Sequence, residues 1–269
     1  QKDGKWLVGE SLHDINNFKA KKLEDAYEVL PGFKEGKLIL YPHPELKTGI
    51  FGKKYSVYEI DVVFPAVHGT NVEDGSLQGL FQMNGVPYAF GSVLCSAVGM
   101  DKIIMKKVFQ SYGLPVVDYT WFYRSSFVEN KDEIIKRAEN IGYPLIVKPA
   151  NLGSSVGINK AKNLDELLFA IDVAMSYDRK IILEKCIENV REINCAVLGY
   201  EDELETSLCE EPVGWKEFLT YEDKYVNKKK DSRESKKRIP AEIDEEIENQ
   251  LKYYAMEAFK AVDGCGNAR

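Results

Sequence analysis

The segment Lys148-Pro-Ala-Asn-Leu-Gly153-Ser154-Ser155-Val-Gly157-Ile158 constrains this chain more than any other. It follows Tyr143-Pro-Leu-Ile-Val147, a short apolar run that reads as a buried strand. A lysine at a strand end, followed by a Gly-Ser-Ser-x-Gly loop, suits the phosphates of a nucleotide. Glycine lets the backbone approach, free N–H groups point at the anion, the Ser154 and Ser155 hydroxyls add donors, and Lys148 supplies charge. The order is not that of the P-loop, whose lysine follows its glycines just inside a helix. Lysine first and glycines second suggests two antiparallel strands closing over a nucleotide as a flap. A solvated turn between strands is the plainer alternative, but such a turn has little need of this composition.

Around this segment the pattern alternates strand and helix. Tyr58 to Val67 reads as a strand, running into the loop His68-Gly-Thr-Asn-Val-Glu73-Asp74-Gly75 and a helix from about Ser76; Pro87-Tyr-Ala-Phe-Gly91 is a short strand and turn. This rhythm implies a parallel α/β layer. Ser92 to Tyr112 reads as a helical stretch. Strands near 116–123 and 145–148 and helices near 129–141 and 164–176 follow, then the strand Lys180-Ile-Ile-Leu-Glu184. Arg191 to Gly199 reads as an alternating strand. Asn227 to Arg238 is a charged stretch with seven Lys/Arg from Lys228 onward, and a helix covers 243–262. Most such charged runs are solvated loops; a mobile basic loop can also cover an anionic ligand.

Composition excludes several classes. The chain has 269 residues with 44% hydrophobic and 29% charged, ordinary for a globular protein. A net charge of -7 argues against a general nucleic-acid or anionic-membrane surface. No apolar stretch approaches the roughly 20 residues that span a bilayer. The five cysteines are scattered without a Cys-x-x-Cys pair, which predicts reduced thiols rather than disulfides or zinc. Both ends read as cut: there is no initiating Met, and the chain stops at Gly264-Cys-Gly-Asn-Ala-Arg269, where a loop enters a strand.

Other candidate residues are weaker alone. Glu184-Lys185 at the end of an apolar strand could meet the edge of an adenine, or be an exposed charge pair. Glu192 could bind ribose hydroxyls, or simply be solvated. His68 follows a strand at a place where open α/β sheets bind ligands, with no role as its equal alternative. Glu73-Asp74 could equally stabilise a helix start. Lys102, at the head of a helix, could reach a phosphate. Lys224 or Tyr225 could bind substrate or phosphate.

Taken together, the motifs His68-Gly-Thr-Asn-Val-Glu-Asp-Gly-Ser-Leu-Gln-Gly79, Met100-Asp-Lys102, Lys148 to Ile158, Arg191-Glu192 and Tyr221-Glu-Asp-Lys-Tyr225 occur in one order. That order resembles the D-alanine–D-alanine ligases of the ATP-grasp superfamily over nearly the whole chain. The resemblance implies an α/β (α+β) protein with an ATP-grasp fold behind an N-terminal α/β domain. It implies three parts: residues 1–98, a central lid domain at 99–184, and a C-terminal domain at 185–269. It implies ATP with Mg2+ (or Mn2+), D-alanine as substrate, no nucleic-acid or membrane partner, a homodimer and a cytoplasmic location. Lys102 and Lys148 would bind phosphates. Glu184, Lys185 and Ile187 would frame adenine with Phe218 near it, and Glu192 would take the ribose. Ser154 and Tyr225 would hold the substrate and lock a lid loop at 226–239, and Lys224 would reach the transferred phosphate. His68 and Glu73 would place the first D-alanine, and Arg269 would stabilise the developing oxyanion.

The chain also departs from the family pattern. Val72 stands where the family usually has glycine, and Cys186 to Arg191 looks one residue longer than the usual connection. A glycine-rich N-terminal strand–loop with its glutamate is not found. The carboxylates and asparagine that hold the metal are expected after Arg269. Related ligases that join D-alanine to D-serine or D-lactate are the near alternatives, with Tyr225 resembling the dipeptide-forming type. A nucleotide-binding fragment without catalysis is the alternative of another class.

Overall fold

The computed structural model describes residues 4–20, 22–46, 54–153, 155–213 and 236–269. The chain divides into two compact units: Gln1–Pro65 with Gln78–Ala89, and Ala66–Leu77 with Phe90–Arg269.

In the first unit, β1 (Trp6–Val8), β2 (Tyr27–Lys34), β3 (Lys37–Pro42) and β4 (Tyr58–Ile60) form an antiparallel meander in the order β1-β2-β3-β4. The β2–β3 hairpin closes on Glu35 and Gly36, with φ of 51° and 76°. Two consecutive left-handed residues match the twist of the strands they join, which explains why Gly36 sits there. Val29, Leu38, Ile39 and Leu40 are buried. A short helix, α1 (Ile15–Ala20), precedes β2. The parallel layer expected here is not what forms. Only an isolated parallel bridge, Val63 to Tyr88, joins the 58–67 segment to the segment after α2 (Ser76–Met83). The strand ends at Ile60; Val62, Phe64 and Val67 are exposed, and Pro65 has no N–H to extend a ladder.

The second unit holds α3 (Val93–Met100), α4 (Lys102–Ser111) and a four-stranded antiparallel sheet. Its strands are β5 (Tyr119–Tyr123), β6 (Leu145–Pro149), β7 (Asn159–Ala161) and β8 (Lys180–Lys185), in the order β5-β8-β6-β7. Helices α5 (Lys131–Ile141) and α6 (Leu164–Tyr177) cover one face. That face is the main core: Phe122, Ile134, Leu145, Val147, Leu167, Ile171, Ile181 and Leu183 pack together. On the opposite face Ile182 and Ala150 pack against Ile103 of α4, beside Tyr119 and Trp121. Strand β8 is thus covered on both sides, and its sequence is correspondingly a continuous apolar run.

The helical stretch expected over 92–112 is two helices, the second headed at Lys102 as the Met100-Asp101-Lys102 run suggests. Asp101 ends α3 and caps α4, its carboxylate accepting from the N–H groups of Ile103 and Ile104 at 3.1 and 3.2 Å. A smaller sheet follows, β9 (Val197–Tyr200) between β10 (Glu203–Thr206) and β13 (Cys265–Ala268). The strand expected from Arg191 starts later, at Val197, after a two-residue bridge of Asn194 with Glu210. The hairpin strands β11 (Glu211–Val213) and β12 (Lys236–Arg238) pair antiparallel, so the end of the charged stretch is strand. The rest of that stretch lies outside the described residues. Helix α7 (Glu245–Ala261) precedes β13. Among the described residues no helix is long and apolar enough to cross a membrane.

Candidate functional site

Strand alternation builds the centre of the site. On β6, Leu145 and Val147 face the main core, so Ile146 and Lys148 face the other way; on β8, Ile181 and Leu183 face the core, so Ile182 and Glu184 do not. Ile146 sits opposite Glu184, and Lys148 opposite Ile182. Lys148 and Glu184 are therefore diagonal neighbours on the face that α4 covers. Their side chains meet with Nζ 2.5 Å from Oε2. Glu184 is not an exposed strand-end charge: its side chain is 8% accessible.

Helix α4 delivers two more lysines. Asp101 pairs with Lys180 at the start of β8, tying the first turn of the helix to the sheet. Lys102 donates its backbone N–H to Ala150 O at 3.1 Å, and its ammonium to Ala150 O and Leu152 O at 3.2 and 2.6 Å. Its charge therefore rests on the carbonyls that open the glycine loop. Burial, reinforced by the nearby charge of Lys148, pushes its pKa down to about 8, against the pull of Glu184 and Asp178. One turn further along α4, Lys106 Nζ is 3.2 Å from Glu184 Oε1, paired electrostatically but without hydrogen-bond alignment. Burial lowers the Lys106 pKa too, with Glu184 opposing. Lys106 and Lys148 thus share one carboxylate, with Lys102 on the loop carbonyls.

The loop after β6 is anchored at its base. Asp178 accepts from Asn151 N at 2.8 Å and Asn151 Nδ2 at 3.0 Å. Ser155 and Gly157 both have positive φ, 61° and 70°. A Cβ on Gly157 would lie 2.8 Å from Tyr177 and 3.0 Å from Pro149, so the loop folds back on its own strand only with glycine there. Ser154 lies outside the described residues.

In the 68–75 loop, Glu73 accepts from Gly69 N at 2.7 Å and lies 3.5 Å from His68 Nδ1. Asp74 accepts from Asn71 N and Ser76 N at 2.8 and 3.0 Å; burial alone would raise its pKa, but these donors outweigh it and leave the carboxyl lowered. Val72 is accommodated because the left-handed turn falls on Asn71, with φ of 70°. Lys185 points back to the carbonyls of Gly142 and Tyr143 at 3.0 and 3.1 Å. Ile187 and Glu192 are exposed. Arg191 makes a two-pronged pair with Glu211 at 2.9 and 3.0 Å. Arg269 lies 3.9 Å from Glu210. Phe218, Lys224 and Tyr225 lie outside the described residues.

Three residues of this site have no role in the sequence reading: Asp101, Lys106 and Lys180. Asp101 stands there only as part of the Met100-Asp101-Lys102 run, and Lys106 leaves a trace in its four-residue spacing from Lys102 on an amphipathic helix.

Comparison with known proteins bears on this geometry. Residues 1–92 match the family model for the D-ala D-ala ligase N-terminus, and residues 108–269 match that for its C-terminus. A D-alanine–D-alanine ligase of Acetivibrio thermocellus is 45% identical over 212 residues, 78% of this chain and 54% of that protein. One of Natranaerobius thermophilus is 39% identical over 271 residues, 100% of this chain and 70% of its own length. The chain thus spans between about half and about 70% of these relatives. Among solved structures, the VanG D-Ala:D-Ser ligase of Enterococcus faecalis superposes with a TM-score of 0.74 at 30% identity, covering 99% of this chain and 72% of that one. The D-alanine-D-alanine ligase of Coxiella burnetii gives 0.73 at 28%, covering 99% and 67%.

Proposed function

The chain belongs to the D-alanine–D-alanine ligase family and has its ATP-grasp fold, and from this we propose that it acts in an ATP-dependent ligase joining two D-alanines for peptidoglycan. The observation that carries the reading is the pairing of Lys106 and Lys148 with the one carboxylate of Glu184, and of Lys102 with the carbonyls at the base of the glycine loop. Two ammonium groups share one carboxylate and a third rests on neutral carbonyls, an excess of positive charge in a sheltered place that a polyphosphate would balance.

In this reading Lys102 and Lys148 hold phosphates, while Glu184, Lys185, Ile187 and Phe218 frame the adenine. Glu192 takes the ribose. His68 and Glu73 orient the first D-alanine. Ser154 and Tyr225 hold the substrate, Lys224 reaches the transferred phosphate, and Arg269 offsets negative charge on the reacting carbonyl oxygen. ATP supplies the phosphoryl group that converts the first carboxylate to an acyl phosphate; the amine of the second D-alanine then displaces phosphate. Magnesium or manganese accompanies ATP, but among the described residues no group of three or more His, Cys, Asp or Glu is placed to hold a metal. The parts 1–98, 99–184 and 185–269, a homodimer and a cytoplasmic location complete the reading.

The likeness to a D-Ala:D-Ser ligase at 30% identity favours one second reading, with D-serine as the acceptor. The full-length protein is given ATP, D-alanine and, in separate reactions, D-alanine, D-serine or D-lactate as the acceptor, with phosphate release and product mass followed. D-alanyl-D-alanine as the main product is expected. D-serine or D-lactate products in excess overturn the acceptor assignment, and no nucleotide turnover with any acceptor overturns the ligase reading.

A further inference from the structure

We propose that Lys106 is a positioning residue for nucleotide binding: it holds the second oxygen of Glu184, so that Lys148 can turn to an anion without stranding a buried carboxylate. The inference rests on the nucleotide-site reading above. Lys106 contributes charge to that site but has no role assigned there in holding phosphate, adenine or ribose.

Lysine is almost never buried unless paired, yet the side chain of Lys106 is only 11% accessible. What faces it is known from each element around it: Glu184 on β8 at 3.2 Å, the Tyr119 ring of β5 with its centroid at 5.2 Å, and the charge of Lys148 on β6. Glu184 is shared, one oxygen on each lysine. Were Lys148 its only partner, the two charges would cancel each other. Any movement of Lys148 toward phosphate would then leave Glu184 buried and unpaired, a costly state. A second cation on the carboxylate removes that penalty. Lys106 sits one turn inside α4, behind Lys102, and acts on the nucleotide only through Glu184 and Lys148.

The test is a double-mutant cycle on the full-length protein, with ATP as the probe: Lys106→Met, Glu184→Gln and the pair, reading Kd for ATP, KM for ATP and kcat. Lys106→Met is expected to weaken ATP binding by about tenfold, because the buried carboxylate loses one of its two cations. KM should rise in step, while kcat changes by less than about threefold, as for lost ground-state binding. In the Glu184→Gln background, which has no charge to strand, the same substitution should cost less than about twofold. Lys106→Arg should keep most of the affinity, and Lys106→Gln replaces the Met variant if that one does not fold. An equal loss in both backgrounds, or a loss confined to kcat, overturns the proposal: Lys106 would then be only a packing residue. So does unchanged affinity in Lys106→Met, while leaving the nucleotide reading intact. A wild-type protein that binds no ATP overturns both.

Discussion

Lys102 offers the most direct quantitative test of the site. Its ammonium is buried against Ala150 O and Leu152 O, and its pKa falls from 10.5 to about 8. Below pH 8 both folded and unfolded chains hold the proton, and the folded one carries the full burden of a buried charge. Between about 8 and 10.5 the unfolded chain still holds a proton that the folded one has released, so stability contributed at this position rises with pH. Integrating the two titrations gives a burden of about 3.4 kcal/mol at pH 7 and about 0.8 kcal/mol at pH 10. Lys102→Met removes the titration and also the two carbonyl contacts, but the latter loss changes little with pH. Urea unfolding of both proteins at pH 7, 8, 9 and 10 isolates the effect, because every other lysine and tyrosine titrates in both. The stability of wild type relative to the variant should climb by about 2.5 kcal/mol across that range. A difference that moves by less than about 0.5 kcal/mol would refute the argument that burial depresses this lysine. A relative stability that falls with pH would give the shift the opposite sign.

Four further outcomes follow from the same geometry. Phosphates beside Lys102 should restore its proton, so ATP binding at pH 8.5 should take up about 0.7 of a proton, measured as the dependence of binding heat on buffer ionisation enthalpy; no uptake would place the phosphates away from Lys102. Gly157→Ala puts a methyl 2.8 Å from Tyr177 at a positive φ and should cost about 1–3 kcal/mol in urea unfolding. At Gly153 a Cβ meets nothing within 4 Å, so Gly153→Ala should change stability by less than about 0.5 kcal/mol. Asp101→Asn keeps a capping oxygen for α4 but leaves the buried Lys180 without its counter-charge, and should destabilise by about 3 kcal/mol, largely recovered by adding Lys180→Met.

What the sequence made legible was local, and what it hid was tertiary. The apolar runs Leu145 to Val147 and Ile181 to Leu183 give away β6 and β8, because strands covered on both faces have no polar side to show. The glycine loop is legible because a positive φ at Gly157 and its close approach to Pro149 leave few other residues possible. Strand direction leaves no such mark. A strand–loop–helix–strand rhythm suggests a parallel layer around residues 58–91; the parallel contact forms, but only as the Val63–Tyr88 bridge, while β4 pairs antiparallel with β3 in the meander that the Glu35-Gly36 hairpin begins. The break at Asp101 leaves only a faint mark, the Met100-Asp101-Lys102 run that reads as a helix head, because apolar residues continue on both sides of it, from Val98 to Ile103 and Ile104. The capping contacts and the pair with Lys180 show what holds the restart there.

The same distinction explains the site. Read singly, Lys106 and Glu184 are ordinary charged residues, and solvation is the sensible expectation for each. Register changes that. Because β6 and β8 pair with Ile146 opposite Glu184, the alternation that sends Val147 and Leu183 into the main core sends Lys148 and Glu184 together to the other face. Because Asp101 fixes the start of α4 against Lys180, Lys106 descends onto the same carboxylate while Lys102, one turn earlier, rests on the carbonyls of Ala150 and Leu152. A shift of one residue in the β6–β8 pairing would turn one of the two strands over, sending either Lys148 or Glu184 into the apolar core and leaving the other alone toward α4. The hydrophobic core under α5 and α6 therefore does more than stabilise the sheet. By fixing that register, it fixes which charges meet at the glycine loop, so substitutions in the core that loosen the register should weaken anion binding at a site they do not touch.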